Sequence, residues 1–203
     1  MNDNPMKEIS YEDFINNYES TNYLDTSDKL IKEVTNIIEK VKLSKDDALI
    51  SFSKEFDKTE FISSEEFKFN KKDFKKSYES LDYKIINNLE FLRERIVKFH
   101  LEKPLNGWKA EDAAFNEYGQ IVRPIKRVGL YAPGGTATYP SSILMTAVLA
   151  NIAGVEEILL SFPPSNKEVT DLMLASCHIG GVTEAVSIGG AQAIAAMAFG
   201  TES

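Results

Sequence analysis

The sequence predicts an α/β fold in which a helical amino-terminal segment is followed by an incomplete βαβαβα parallel sheet. Two observations lead to this prediction. In the first half of the chain, apolar side chains recur at three- and four-residue spacing, which is the period of one helix face. Beyond Lys126 the pattern changes to short apolar runs, each closed by a glycine or proline turn and followed by a helical stretch. This alternation is typical of parallel strands joined by crossover helices.

Start signals and apolar periodicity predict the helices of the first half. Ser10 and Asp13 have the spacing of a helix start and lead into apolar residues. An amphipathic helix is predicted from Asp28 to Val41, and Ser44 restarts the helical pattern beyond it. A longer helix is predicted from about Tyr83 to His100, with most of its charges on the face opposite its apolar residues.

The second half begins with a connecting segment of short strands and then repeats a unit of strand, turn and helix. The stretch from Trp108 to Lys126 predicts short strands around turns at Asn116 and Gly119. Strand, turn and helix then follow one another three times. The strands are predicted at Arg127–Tyr131, Glu157–Phe162 and Thr183–Ile188, and the helices at Pro140–Ile152, Asn166–Ile179 and Gly190–Met197.

Composition and charge limit the classes of partner. Hydrophobic residues make up 43% of the chain and charged residues 27%, as in ordinary globular proteins. The net charge of −8 gives no electrostatic attraction to nucleic acid or anionic lipid, so neither partner is expected. The longest apolar stretch, Ile143–Val155, is shorter than the ~20 residues of a membrane span. Cys177 is the only cysteine, which excludes an intrachain disulfide and favours a reducing, cytoplasmic location.

Two glycine pairs are the first candidate binding feature. Gly134-Gly135 and Gly189-Gly190 each stand between a predicted strand and a predicted helix. Glycine lets the backbone approach a ligand, and a helix amino end offers free N–H groups to an anion. Each pair taken alone is explained by a tight turn, whereas two such turns after neighbouring parallel strands predict a shared crevice. The usual dinucleotide fingerprint G-x-G-x-x-G and the P-loop are both absent.

Tyr131 and Gln192 are the polar side chains closest to this predicted crevice. Tyr131 ends the first strand, so it can present a ring and a hydroxyl group to a ligand. Gln192 follows Gly190 in the first helical turn, where its amide can bond a bound ring or ribose. The residues alone leave two simpler alternatives open, a buried tyrosine that packs and a glutamine that caps a helix.

No catalytic or metal-binding group emerges from the residues themselves. The histidines are His100 and His178, and the latter is adjacent to Cys177 on a predicted helix, so the two side chains point about 100° apart. No three-ligand zinc site can be assembled, and no G-x-S-x-G nucleophile motif is present. We therefore assign no catalytic residue and no metal ligand.

Two long blocks of sequence resemble one particular family. Residues 127–137 and 139–142, with Ala150–Gly154, and the run from Ile188 to Ser203 are similar to histidinol dehydrogenases. The resemblance implies an enzyme that uses NAD and zinc to oxidise L-histidinol to L-histidine through the aldehyde, the last step of histidine biosynthesis. It also implies a homodimer of intertwined subunits with incomplete Rossmann-like domains.

Individual site residues follow from the resemblance. Tyr131 and Gln192 match family positions that contact NAD. The family's zinc ligands, its catalytic Glu-His pair and its substrate-binding residues match no position here, because they lie in the later half of family members. The chain is accordingly expected to be an inactive amino-terminal fragment. A non-catalytic nucleotide-binding module and an interaction subunit are the alternatives.

The same reasoning predicts a domain organisation. Residues 1–25 are expected to form an amino-terminal arm, and 26–125 a mostly helical segment ending in a short β-hairpin. Residues 126–203 are expected to form a partial Rossmann-like nucleotide-binding domain, truncated at its carboxyl end.

Overall fold

The computed structural model of the chain describes residues 9–20, 28–102, 106–134 and 139–202. The chain divides into two compact units, residues 1–36 and 37–203. The first unit holds helix α1 (Tyr11–Ser20) and the beginning of helix α2 (Asp28–Phe52). The predicted start of α1 is confirmed, since the Asp13 N–H donates to Ser10 Oγ at 3.0 Å.

Within residues 37–203, helix α2 is kinked. Lys45 has φ 46° and ψ −120°, which is not helical backbone, and it directly follows Ser44, where the pattern was predicted to restart. A π-helical turn (Ser53–Asp57) and a 3₁₀ turn (Ser64–Phe67) come next.

A short strand, β1 (Lys68–Asn70), was not predicted. It is followed by helices α3 (Lys71–Ser80) and α4 (Tyr83–Leu101). Asn70 begins α3 with a capping box, in which its side chain accepts the Lys72 N–H and Asp73 accepts the Asn70 N–H. Helix α4 confirms the helix predicted from Tyr83.

The predicted connection contains a hairpin of β2 (Trp108–Glu111) and β3 (Glu117–Gln120). Its turn spans the residues around Asp112, whose carboxylate accepts the N–H groups of Ala114 and Asn116. The prediction of a turn at Gly119 was wrong, because Gly119 lies within β3. A Cβ atom there would lie 2.2 Å from the Trp108 carbonyl oxygen, so close strand packing explains the glycine.

The remaining elements confirm the predicted α/β unit. They are β4 (Arg127–Tyr131), α5 (Pro140–Ile152), β5 (Glu157–Ser161), α6 (Lys167–Gly180), β6 (Glu184–Val186) and α7 (Gly190–Phe199). The sheet has the order β1-β6-β5-β4, with β4, β5 and β6 parallel and β1 antiparallel at the edge. No helix in the described ranges is long and apolar enough to cross a membrane.

Alternate residues of these strands face two separate cores. Ile158 and Leu160 of β5 pack with the buried residues of α5 and α6 on one face. Tyr131 of β4 packs on the other face, with Ala193 of α7 and Leu49 of α2. The sheet therefore directs Tyr131 toward the face covered by α7.

Candidate functional site

Three turns meet at the carboxyl edge of the parallel strands. Gly134 follows β4, Pro163 follows β5 and Gly189 follows β6. A Cβ atom built on Gly134 would lie 3.1 Å from Pro163 Cδ, and one built on Gly189 would lie 3.0 Å from Pro163 Cγ. Both glycines pack against the proline ring, so a side chain at either position would displace it. Gly135, the predicted companion of Gly134, lies outside the described residues.

The strands that carry the two glycine turns are not neighbours. The expectation that they would be was wrong, because β5 lies between β4 and β6. The two glycine turns still lie close together, because Pro163, which follows β5, packs against both Gly134 and Gly189.

Tyr131 joins β4 to the amino end of α7. Its side chain is half-buried, and its hydroxyl oxygen accepts the Gly190 N–H at 3.1 Å. The N-cap residue of α7 is Gly189, which has no side chain to cap the helix, so Tyr131 supplies the acceptor from another strand. Tyr131 is thereby held beside Gly190, which lies two residues before Gln192, the other predicted site residue.

Gln192 is buried in the first turn of α7, with 1% of its surface exposed. Its Nε2 has no hydrogen-bond partner among the described residues. Its Oε1 lies over Gly190, where a Cβ atom would be only 2.6 Å away. An unpaired buried amide costs about 1–3 kcal/mol and is rare in native proteins. Among the described residues, Gln192 therefore carries a buried donor without an acceptor, which a ligand would reach only after a local rearrangement.

Ser161, which the sequence reasoning did not select, shapes the same edge. It is fully buried as the last residue of β5, and its hydroxyl donates to the Ile188 carbonyl oxygen at 2.6 Å. The available signal was a single serine directly after the three apolar residues Ile158 to Leu160. Nothing in the local sequence indicated which carbonyl group it meets.

A cavity of about 400 Å³ opens at this edge beyond β5. Its lining includes Pro164, Ser165 and Ser187, which follow the strands, and Asp57 from the π-helical turn. Asp57 Oδ2 is buried without a partner in the described chain, and burial raises the pKa of this carboxyl group. The cavity extends the candidate site with hydroxyl groups and with the carboxyl groups of Asp57 and Glu66.

Comparison with known proteins decides the family. The family model described as histidinol dehydrogenase matches residues 21–203. The chain belongs to the histidinol dehydrogenase family. A histidinol dehydrogenase of Acinetobacter baylyi is 40% identical over 174 residues, which cover 86% of this chain and 40% of that protein. One of Staphylococcus epidermidis is 38% identical over 194 residues, covering 96% of this chain and 45% of that protein.

A solved structure agrees with this assignment. The crystal structure of histidinol dehydrogenase from Elizabethkingia anophelis matches with a TM-score of 0.79 and 29% identity. The match covers 88% of this chain and 41% of that one. The chain thus spans about two fifths of the length of these histidinol dehydrogenases.

The described part of this family member offers no metal centre. No three His, Cys, Asp or Glu side chains in it lie close enough to hold an ion together. Cys177 is fully buried, and burial raises the pKa of its thiol. The His178 ring lies 4.8 Å from the Tyr78 ring, and the His100 ring 5.1 Å from the Phe99 ring, centroid to centroid. These described side chains do not fit a zinc ion.

Proposed function

We propose that this chain supplies part of the NAD-binding site of a histidinol dehydrogenase. The proposed reaction is the NAD-dependent oxidation of L-histidinol to L-histidine through L-histidinal, the last step of histidine biosynthesis. One observation carries the proposal: the buried Nε2 of Gln192 has no partner among the described residues, and Gln192 lies beside Gly190, which Tyr131 binds, at the carboxyl edge of the parallel strands. That edge is where open α/β sheets bind nucleotides.

The geometry of the described residues fits a dinucleotide. Gly134 and Gly189 let the turns after β4 and β6 pack closely against Pro163, which brings the backbone of both turns to one edge of the sheet. Gln192 Nε2 would donate a hydrogen bond to an acceptor of the bound nucleotide. Tyr131 holds the amino end of α7 in place and presents its half-exposed ring. When bound, NAD supplies the hydride acceptor for the alcohol and then for the aldehyde.

The remaining chemistry is proposed to come from outside the described residues. Oxidation of an alcohol needs a group to take its proton, and the described histidines pack against aromatic rings instead. The zinc ion of the family reaction likewise has no ligand set among the described residues. This chain by itself is therefore proposed to bind NAD without turnover.

Homodimer formation is part of the same proposal. Several large apolar side chains of the hairpin and the loop after it are exposed, which is the type of surface that an assembly covers. They include Trp108, Phe115, Tyr118, Ile121 and Ile125. Sedimentation analysis of the chain at several concentrations tests whether this surface associates.

Isothermal titration with NAD tests the proposed site directly. The unmodified chain is expected to bind NAD, and Gln192→Ala to bind it more weakly by about 10-fold, the value of one hydrogen bond. Asn70→Ala is the matched control, because it removes an amide that caps α3, and Asn70 pairs with Glu184 at the start of β6, at the opposite edge of the parallel strands. Equal affinity of Gln192→Ala and the unmodified chain would overturn the assignment of the site.

A parallel assay tests the catalytic part of the proposal. The chain is mixed with L-histidinol, NAD and zinc, and NADH formation is followed, with an intact histidinol dehydrogenase as positive control. No turnover is expected. Turnover would refute the placement of the catalytic groups and would direct the search to His100, Cys177 and His178.

A further inference from the structure

We propose that Ser161 is a positioning residue that sets the location of Gln192 for NAD binding, an inference that rests on the function proposed above. Ser161 ends β5 between two parallel neighbours, with Tyr131 of β4 on one side and Val186 of β6 on the other. Its side chain is fully buried on the same face of the sheet as that of Tyr131. From there its hydroxyl group donates to the Ile188 carbonyl oxygen at 2.6 Å.

This bond acts where the chain leaves the sheet. Strand β6 ends at Val186, and the next residue, Ser187, still donates its N–H to the Phe67 carbonyl oxygen at 2.7 Å. Ile188 lies beyond the strand ladder, so a side chain holds its carbonyl group instead of a neighbouring strand. Because Ile188 is 1% exposed, water cannot replace the serine hydroxyl without a rearrangement.

A second bond holds the other side of the turn. The Gly190 N–H donates to Tyr131 Oη at 3.1 Å, so Gly189 is bracketed by one bond from β5 and one from β4. Pro163 packs on Gly189 with no room for a Cβ atom. Three side chains thus fix the turn: Tyr131 of β4, Ser161 of β5, and Pro163, which follows β5.

The turn determines the position of the Gln192 amide group. Gly190 has φ +68°, and the site of its missing Cβ atom lies 2.6 Å from Gln192 Oε1. The glutamine side chain therefore lies directly over the backbone of Gly190. A displacement of the turn moves this contact, and with it the buried Nε2 that is proposed to bond NAD.

The test is a comparison of Ser161→Ala with Ser176→Ala. Ser176 is also fully buried and donates to a carbonyl oxygen, that of Leu172 at 2.8 Å, but it lies within α6. Titration with NAD is expected to show an affinity loss of about 3- to 10-fold for Ser161→Ala, because the displaced Gln192 loses part or all of its hydrogen bond to NAD, and none for Ser176→Ala. Ser161→Cys keeps a weak donor of similar size and is expected to recover part of the affinity.

Amide hydrogen exchange at Gly190 and Ala191 supplies a readout independent of NAD. Exchange there is expected to quicken in Ser161→Ala and to stay unchanged in Ser176→Ala. If the unmodified chain binds no NAD, the proposed function fails, while the exchange rates still decide whether Ser161 holds the turn. Unchanged exchange and affinity in Ser161→Ala would overturn the inference. If that variant does not fold, the same two measurements on Ser161→Cys decide.

Discussion

Alanine at Gly190 tests the geometry of the candidate site most directly. Gly190 has φ +68°, and an L side chain in this region costs about 1–2 kcal/mol of folding stability. The new Cβ atom would also lie 2.6 Å from Gln192 Oε1, closer than real Cβ contacts allow, so the glutamine must move. We expect NAD affinity to fall by about 10-fold or more, which corresponds to about 1.4 kcal/mol.

Gly200→Ala is the matched control for this variant. Gly200 has φ +80° and ψ 153°, a region almost restricted to glycine, so alanine is strained there as well, but no atom lies within 4 Å of its Cβ position. Urea unfolding is expected to show a loss of stability of about 1–3 kcal/mol in each variant. Titration with NAD should separate them, with only Gly190→Ala losing affinity. Equal NAD affinities in the two variants would refute the claim that Gly190 and Gln192 form the site together.

Three further predictions concern buried polar groups. Gln192→Met removes the buried Nε2, which has no partner among the described residues. Its free energy of unfolding is therefore expected to rise by about 1 kcal/mol, while its affinity for NAD falls. A loss of stability would contradict the assignment of Nε2 as a donor without an acceptor. Because burial raises the pKa of Asp57, its contribution to stability is present below the unfolded-state pKa of about 3.9 and is lost as the pH rises through the folded-state pKa. In urea unfolding, the free energy of unfolding of Asp57→Asn should therefore increase relative to that of the unmodified chain as the pH rises from about 3 to about 7. A difference in this free energy that stays constant with pH would refute the effect. The Cys177 thiol, whose pKa is raised by full burial, is expected to react with an aromatic disulfide reagent only after unfolding in guanidinium; reaction with the native chain would contradict its burial.

Sequence reasoning worked where the signal lies within a few neighbouring residues. The Ser10–Asp13 start, the break after Ser44 and the parallel strand–helix units were all recovered. Each depends on a cap, a backbone break or an apolar period, which residues close in the chain determine. The positions of Tyr131 and Gln192 at one sheet edge followed from the same local pattern.

The errors concern pairing between distant segments. Strand β1 has only three residues, and it is a strand because β6, more than a hundred positions away, offers it a free edge. Gly119 reads locally as a turn residue, yet it is glycine because the Trp108 carbonyl oxygen of the paired strand lies against it. Neither partner is visible in a short window of sequence.

The sequence by itself determined the α/β class, the glycine turns and the two residues at the carboxyl edge of the sheet, because these depend on local periodicity and on backbone freedom. Only the tertiary structure decided that β5 separates the two glycine turns and that Pro163 joins them. It also paired Ser161 with Ile188 and left Gln192 Nε2 buried without a partner in the part of the chain that the structure describes. The physical reason is that hydrogen bonding and burial are settled by strand order, which brings together groups that are far apart in the chain.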